Sequence, residues 1–162
     1  MKISKTHIKK AGIVFLILLV LCQFIRIDKT QEPLYPLLDF NTATKAPADI
    51  ENIIRVSCYD CHSREVKYPW YTNIAPVSWW IKNHIEEGSR HLNFSLWATY
   101  SKRRKEKKLK ECVEMIEEGE MPMTSYTLIH GEASLSKDQK DKLVQWFNSL
   151  RTEGKEEEEK ED

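Results

Sequence analysis

The sequence predicts a mainly α-helical protein with a single small folded domain. Apolar residues recur at helical spacing in several segments after Pro47, and no segment shows the strict alternation of a half-buried strand. The chain has 162 residues, which is enough for one domain. We therefore divide it into an N-terminal signal anchor (residues 1–28), a linker (29–46), a folded domain (47–152) and an acidic disordered tail (153–162).

The first segment combines a basic end with an apolar run. Four lysines precede Ala11, and residues 11–25 are almost free of polar groups before Arg26 closes the run. This pattern is typical of a signal sequence, but no small-x-small cleavage site follows it, and Leu21 stands before Cys22 where a lipoprotein signal has a small residue. We expect an uncleaved, single-pass transmembrane helix. Basic residues stay on the cytoplasmic side, so the chain after about residue 28 would face outward.

The remaining elements follow in chain order. Residues 29–46 are polar with scattered prolines, which favours a linker. The alternative is that the apolar residues of this segment pack on the domain, namely Leu34, Tyr35, Leu37, Leu38 and Phe40. Ile50, Ile53 and Ile54 then share one face of a helix that delivers Cys58. Further helices are predicted from Ser78 to about Gly88, from Ser95 to Tyr100, from Lys102 to Gly119 and from Ser136 to Gly154, with loops at 64–76 and 119–135.

Two cysteines and a histidine stand at the end of the first of these helices. The stretch Cys58-Tyr59-Asp60-Cys61-His62 has the attachment spacing of a c-type haem. In such a site each thiol forms a thioether with one haem vinyl group, and the histidine is held under the iron as its proximal ligand. A zinc knuckle would need a second ligand pair, and a thioredoxin-type redox pair would need a βαβ unit; the sequence shows neither pattern. We therefore expect one covalently bound haem c.

The residue at the sixth coordination position of the iron decides the function, and several alternatives remain. A thioether, a second histidine or an open position would each be compatible with the motif. Met121 is the first candidate, because it stands in a Gly-Glu-Met-Pro turn and Pro122 would stiffen that turn. Met123, His91 and His130 are the other candidates, and packing in the core is the ordinary role of a methionine.

Charge and cysteine content narrow the possible partners. Lys and Arg number 25 and Asp and Glu number 25, so there is no basic excess that would indicate nucleic acid. The basic run over residues 102–110 is either a docking patch for an acidic redox partner or, as we favour, a solvated helix face. Cys22 lies in the apolar run and Cys112 on a predicted helix, so no disulfide is expected.

Several stretches together resemble a known family: the short, membrane-anchored bacterial proteins described as haem-binding-domain proteins, with one c-type haem site. The resemblance covers about residues 48 to 150. It implies haem attachment at Cys58 and Cys61, ligation by His62 and a cytochrome-c-like helical fold, but no particular reaction. The matching stretches are Cys58-Tyr59-Asp60-Cys61-His62-Ser63, Tyr68-Pro69-Trp70-Tyr71, Pro76-Val77-Ser78-Trp79-Trp80, His91-Leu92-Asn93-Phe94-Ser95, Glu120-Met121-Pro122 and Ser125-Tyr126.

The sequence therefore predicts a monohaem c-type cytochrome domain on the periplasmic side of a bacterial cytoplasmic membrane. We expect one-electron transfer with redox partner proteins that the sequence does not name. A haem-based sensor or peroxidase with an open or displaceable sixth position is the alternative, and a membrane-held haem scaffold within a larger complex is a third possibility. The sequence shows no catalytic constellation besides the haem motif, so an electron carrier is favoured over an enzyme.

Overall fold

The protein is built from helices. The computed structural model describes residues 5–161, with side chains through Arg151, and this part of the chain contains no β-strand, which confirms the mainly α fold class. The α-helices are α1 (Lys5–Cys22), α2 (Phe40–Thr44), α3 (Ala48–Ser57), α4 (Tyr59–His62), α5 (Val77–His91), α6 (Lys102–Glu117), α7 (Thr124–Thr127) and α8 (Lys137–Glu161). Short 3-10 helices lie at Pro36–Leu38, Trp70–Asn73, Phe94–Thr99 and Gly131–Ala133.

Some sequence predictions fall at the two ends of the chain. Lys2 of the basic N-terminal end and the side chains of the acidic tail lie outside the described residues. The backbone of α8 continues past Gly154, where the sequence predicted an end, because the glutamates and lysines that follow are good helix formers. Disorder of this tail stays a prediction.

The described chain divides into two units. The first contains the chain through Thr30 together with Lys67–Glu87, and the second contains Gln31–Val66 and the chain from Gly88 onward. Residues 67–87 thus belong to the same unit as α1.

Hydrogen bonds explain the composition of the first unit. The Gln23 side chain donates to the Ala75 carbonyl (2.9 Å) and accepts from the Ala75 N–H (3.0 Å). The Trp79 indole N–H donates to the Ile25 carbonyl (2.9 Å). These side-chain bonds to backbone join the chain after α1 to residues 67–87. None of the residues of α1 is buried, and within residues 5–161 no helix is both long and apolar enough to cross a membrane.

The core of the second unit is centred on Phe40. This ring is fully buried and meets the rings of Phe94, Trp97 and Phe147 edge to face, with centroids 5.1, 4.9 and 5.9 Å apart. Burial of one such side chain contributes about 1.5–3 kcal/mol. The segment 29–46, which we expected to be a linker, therefore supplies a central core residue. Phe40 is among the apolar residues of this segment for which packing on the domain was the alternative, although no periodic pattern singles it out.

Helices α3, α6 and α8 complete this core, and α3 does so with the face that the sequence predicted. Ile50, Ile53 and Ile54 of α3 are buried, and α6 packs extensively on α8. The buried residues of these two helices are Leu109, Val113, Ile116, Leu143 and Phe147. This packing fixes the end of α3, where the cysteine motif begins.

Candidate functional site

The cysteine–histidine motif forms one tight turn between α3 and α4. Cys58 interrupts the helix with φ −125° and ψ −35°. Its carbonyl accepts hydrogen bonds from the N–H groups of Cys61 (3.2 Å) and His62 (2.9 Å). Both thiols and the imidazole are therefore carried by a single short piece of backbone, held in place by the buried face of α3.

Two backbone carbonyls fix the His62 ring. Its Nδ1 lies 3.0 Å from the Gly88 oxygen and 3.1 Å from the Leu92 oxygen. Carbonyl oxygens can only accept, so Nδ1 carries the proton, and Nε2 keeps its lone pair in the neutral ring. Metal-binding histidines are oriented in this way: one ring nitrogen binds the metal, and the other ring N–H donates to a carbonyl or carboxylate.

The surroundings also keep His62 neutral. Burial is the largest influence and lowers the pKa of His62, while the hydrogen bonds to Leu92 and Gly88 act in the opposite direction. Electrostatic interactions with His91 and Lys108 lower the pKa further. The net shift is downward, so Nε2 is available as a ligand at neutral pH.

Helix α5 approaches the motif very closely at Gly88. A Cβ atom at this position would lie 2.9 Å from the Cys61 carbonyl oxygen and 3.3 Å from the Cys61 Cβ. The sequence predicts that the helix ends at about Gly88, but α5 continues to His91. The glycine marks the point of close packing, which is a known reason for an isolated glycine inside a helix.

The two motif thiols are half-buried and protonated. Burial raises the pKa of Cys58 to about 12 and that of Cys61 to about 11. Electrostatic interaction with Cys112, which lies on α6, is the second influence on Cys58. Redox-active cysteine pairs show the opposite behaviour, because they depend on a lowered thiol pKa. These thiols therefore do not resemble a dithiol redox centre.

A second loop contacts the motif through a long-range hydrogen bond. The Tyr126 hydroxyl donates to the Asp60 carboxylate at 2.7 Å, across 66 positions of the chain. The Tyr126 ring stacks on the His130 ring, with centroids 4.5 Å apart and planes inclined by 22°. The segment that contains three of the candidate sixth ligands, Met121, Met123 and His130, is thereby held beside the motif. No sequence signal paired Tyr126 with Asp60.

Met121 occupies the turn that ends α6. Gly119 has φ +76°, and the Met115 carbonyl accepts from the N–H groups of Glu120 (3.0 Å) and Met121 (3.1 Å). This confirms that Gly119 stops the helix, in the manner of a Schellman motif. Met121 and Met123 are half-buried, and no hydrogen bond joins either of them to His62 in the described part of the chain.

His91 has a different position. It is the exposed last residue of α5, between the two residues whose carbonyls face His62 Nδ1. The helix end that carries His91 therefore lies on the Nδ1 side of the imidazole.

Sequence reasoning missed a buried polar cluster beside the motif. The Tyr59 hydroxyl lies 2.8 and 2.9 Å from the two Asp39 carboxylate oxygens, and the Asn41 amide donates to the same hydroxyl at 2.8 Å. The Arg55 guanidinium lies 4.9 Å from the centroid of the Tyr59 ring and pairs with Glu65. Asp39 fell in the predicted linker, so nothing in the sequence pointed to this cluster.

Comparison with known proteins identifies the family. Residues 17–149 match the model of a family described as a haem-binding domain. The chain belongs to this family. No curated protein and no solved structure matches the chain.

The turn at residues 58–62 of this haem-binding domain fits a haem. His62 directs an unprotonated Nε2 away from its carbonyl partners, as an iron ligand requires. Cys58 and Cys61 are free thiols on the same turn. The residues that would hold the haem are therefore His62 at the iron and the two thiols at the edge of the ring.

Proposed function

We propose that this haem-binding domain carries one haem c, attached through Cys58 and Cys61 and ligated by His62, and that it transfers single electrons. The observation that carries the proposal is the position of His62 Nδ1 between two carbonyl oxygens, which leaves Nε2 for the iron. When bound, the haem supplies an iron that cycles between two oxidation states. The proposal includes a cytochrome-c-like helical arrangement, as the family resemblance implies.

Each residue of the site has a distinct role in this proposal. Cys58 and Cys61 keep the group from dissociating, and His62 holds the iron on the proximal side. The close approach at Gly88 keeps the carbonyl acceptor against the imidazole. The hydrogen bond from Tyr126 to Asp60 holds residues 121–130 near the motif. This favours Met121 as the sixth ligand, with Met123 and His130 as alternatives. His91 is less favoured, because its helix end faces Nδ1.

Covalent attachment is tested by extraction of the purified protein with acidified acetone, followed by mass spectrometry of the polypeptide. We expect the haem to remain on the wild-type chain. It should become extractable in the Cys58→Ser/Cys61→Ser double variant. Cys112→Ser is the matched control, since this thiol is also half-buried but lies outside the motif. Extractable haem in the wild-type protein would overturn the covalent assignment.

The sixth ligand is tested by visible spectra of the oxidised and reduced protein, with and without carbon monoxide. A low-spin spectrum with a sulfur–iron charge-transfer band that is lost in Met121→Ala, but retained in Met123→Ala and His130→Ala, supports an electron carrier with methionine ligation. Rapid carbon monoxide binding by the reduced wild-type protein would instead support the alternative function, a sensor or peroxidase with an open position.

The proposal also places α1 in the cytoplasmic membrane of a bacterium, with residues after about 28 on the periplasmic side. Support comes from the apolar side chains between Ile13 and Leu21, nearly all of which are exposed, and from exposed lysines at the other end of α1. Extraction of membranes with alkaline carbonate should leave the protein in the membrane. Release into the soluble fraction would contradict the anchoring, whatever the result for haem.

A further inference from the structure

The first unit exposes large apolar side chains in a second place besides α1. Trp70 is 75% exposed, Trp80 51%, Val77 46% and Ile74 44%. We call residues 70–80 the aromatic segment. Tryptophan is costly to expose to water, and four exposed large apolar side chains within residues 70–80 make this segment a candidate interaction site.

The aromatic segment is joined directly to the chain at the end of α1. Gln23 bonds both backbone groups of Ala75, and the Trp79 indole N–H donates to Ile25. The Lys29 ammonium donates to the side chains of Thr72 (2.9 Å) and Asn73 (2.7 Å). Whatever surrounds the end of α1 therefore also lies beside the aromatic segment.

The distribution of apolar side chains on α1 indicates which kind of molecule surrounds this helix. Residues 13–18 are six consecutive large apolar residues, each more than half exposed, so they cover every face of the helix. A protein partner or a second copy of the chain would cover one face, whereas acyl chains surround a helix on all sides. The exposed Arg26 and Lys67 lie in the same unit and are suited to lipid phosphates.

We propose that the aromatic segment lies in the headgroup region of the bilayer that holds α1, with phospholipid as its partner. Tryptophan suits this region because its ring is apolar while its N–H can donate to a polar group. The inference rests on the proposed anchoring by α1, but it adds a second membrane contact that comes from residues 70–80.

Photocrosslinking of the full chain in bacterial membranes tests this inference. Benzoylphenylalanine replaces, one at a time, Trp70 or Val77 in the aromatic segment, Ile17 in α1, or Leu128. Leu128 is the matched control, because it is 81% exposed and apolar but belongs to the second unit. A circular dichroism spectrum and a thermal unfolding midpoint close to those of the wild-type protein show that each variant is folded. After irradiation, the mass of the adduct identifies lipid, a second copy or another protein.

We expect lipid adducts at Trp70, Val77 and Ile17, at a yield about tenfold above that at Leu128, since interfacial aromatics stay in contact with lipid. Lipid adducts at Ile17 without any at Trp70 and Val77 would overturn the inference and leave the anchoring intact. The absence of lipid adducts at Ile17 would overturn the anchoring and the inference together. Adducts to a second copy or to another protein at Val77, or equal lipid labelling at Leu128, would also overturn the inference.

Discussion

Among single residues, Asp39 has the clearest consequence for stability. Its carboxylate is buried and accepts hydrogen bonds from the Tyr59 hydroxyl and from the Asn41 N–H. Burial is the largest influence and raises the pKa of Asp39, while these hydrogen bonds and the charge of Arg55 partly offset it. Glu65 is the other charged group that faces Asp39, and it adds to the rise.

We expect Asp39→Asn to remove a pH dependence of the free energy of unfolding. Because the pKa of Asp39 is raised in the folded state, its contribution to stability is full below its ordinary pKa and is lost as pH rises through the folded value. The asparagine oxygen can still cap α2 and accept from Tyr59. Urea denaturation over a pH series should show the wild type losing stability relative to the variant, with a slope of at most about 1.4 kcal/mol per pH unit.

The exposed Asp141, which pairs with Lys137, provides the control for this experiment. Asp141→Asn should leave the pH profile of the wild type nearly unchanged, because exposed ion pairs contribute little. Parallel profiles for the wild type and Asp39→Asn would show that Asp39 does not titrate differently in the folded state.

Gly88 gives a second prediction at the scale of single residues. Glycine to alanine inside a helix normally stabilises by about 1 kcal/mol. At Gly88 the new Cβ would lie 2.9 Å from the Cys61 carbonyl oxygen, so either α5 or the motif turn must shift. We expect Gly88→Ala to destabilise the protein by about 1–3 kcal/mol in thermal or urea denaturation, as overpacking does.

Gly131→Ala is the comparison for this variant, since a Cβ at Gly131 would meet nothing within 4 Å. Gly131→Ala should be close to neutral. A gain in stability for Gly88→Ala would contradict the close approach between α5 and Cys61.

At the scale of single residues, the sequence predicts which side chains can bind a cofactor better than it predicts how residues pack. The spacing of Cys58, Cys61 and His62 is visible in the chain itself. The carbonyls of Gly88 and Leu92 are not, because a backbone acceptor has no residue type that could mark it. The burial of Asp39 could not be predicted for a related reason, because it depends on a core that forms from distant parts of the chain.

At the scale of elements, the end of α6 decides where Met121 stands. Gly119 adopts φ +76°, which an L-residue with a side chain reaches only at a cost of about 1–2 kcal/mol. We expect Gly119→Ala to lower the free energy of unfolding by that amount in urea denaturation, with Gly131→Ala again as the control. Unchanged stability would show that the turn tolerates a side chain at this position.

The helices also show which elements a sequence can predict. Helices α3 and α6 bury regular apolar stripes, so their position and inner face follow from periodicity. Helix α2 has only five residues and no apolar stripe, and it buries Phe40 and Asn41. Residues 67–87 associate with the chain after α1 through hydrogen bonds of Gln23 and Trp79, and such contacts leave no periodic pattern.

At the scale of the whole molecule, the core and the candidate site are built from different kinds of structure. The core of the second unit rests on the packing of α6 against α8 and on the buried face of α3. The site consists of the turn at residues 58–62, the end of α5 and the loop that carries Tyr126; Tyr59 and Leu92 reach the core, and hydrogen bonds of His62 and Tyr126 join the three parts. Such parts open more easily than packed helices.

Loss of the covalent link to haem should therefore affect the molecule unevenly. If haem links Cys58, Cys61 and His62, the Cys58→Ala/Cys61→Ala variant loses the covalent attachment that fixes the site, while the packing of α6 on α8 stays intact. In hydrogen exchange followed by mass spectrometry, we expect faster exchange over residues 57–66 and 120–130, and protection close to wild type over residues 105–116. The Cys112→Ser variant controls for the loss of a half-buried thiol. An equal loss of protection in all of these segments would mean that the core depends on the haem as much as the site does.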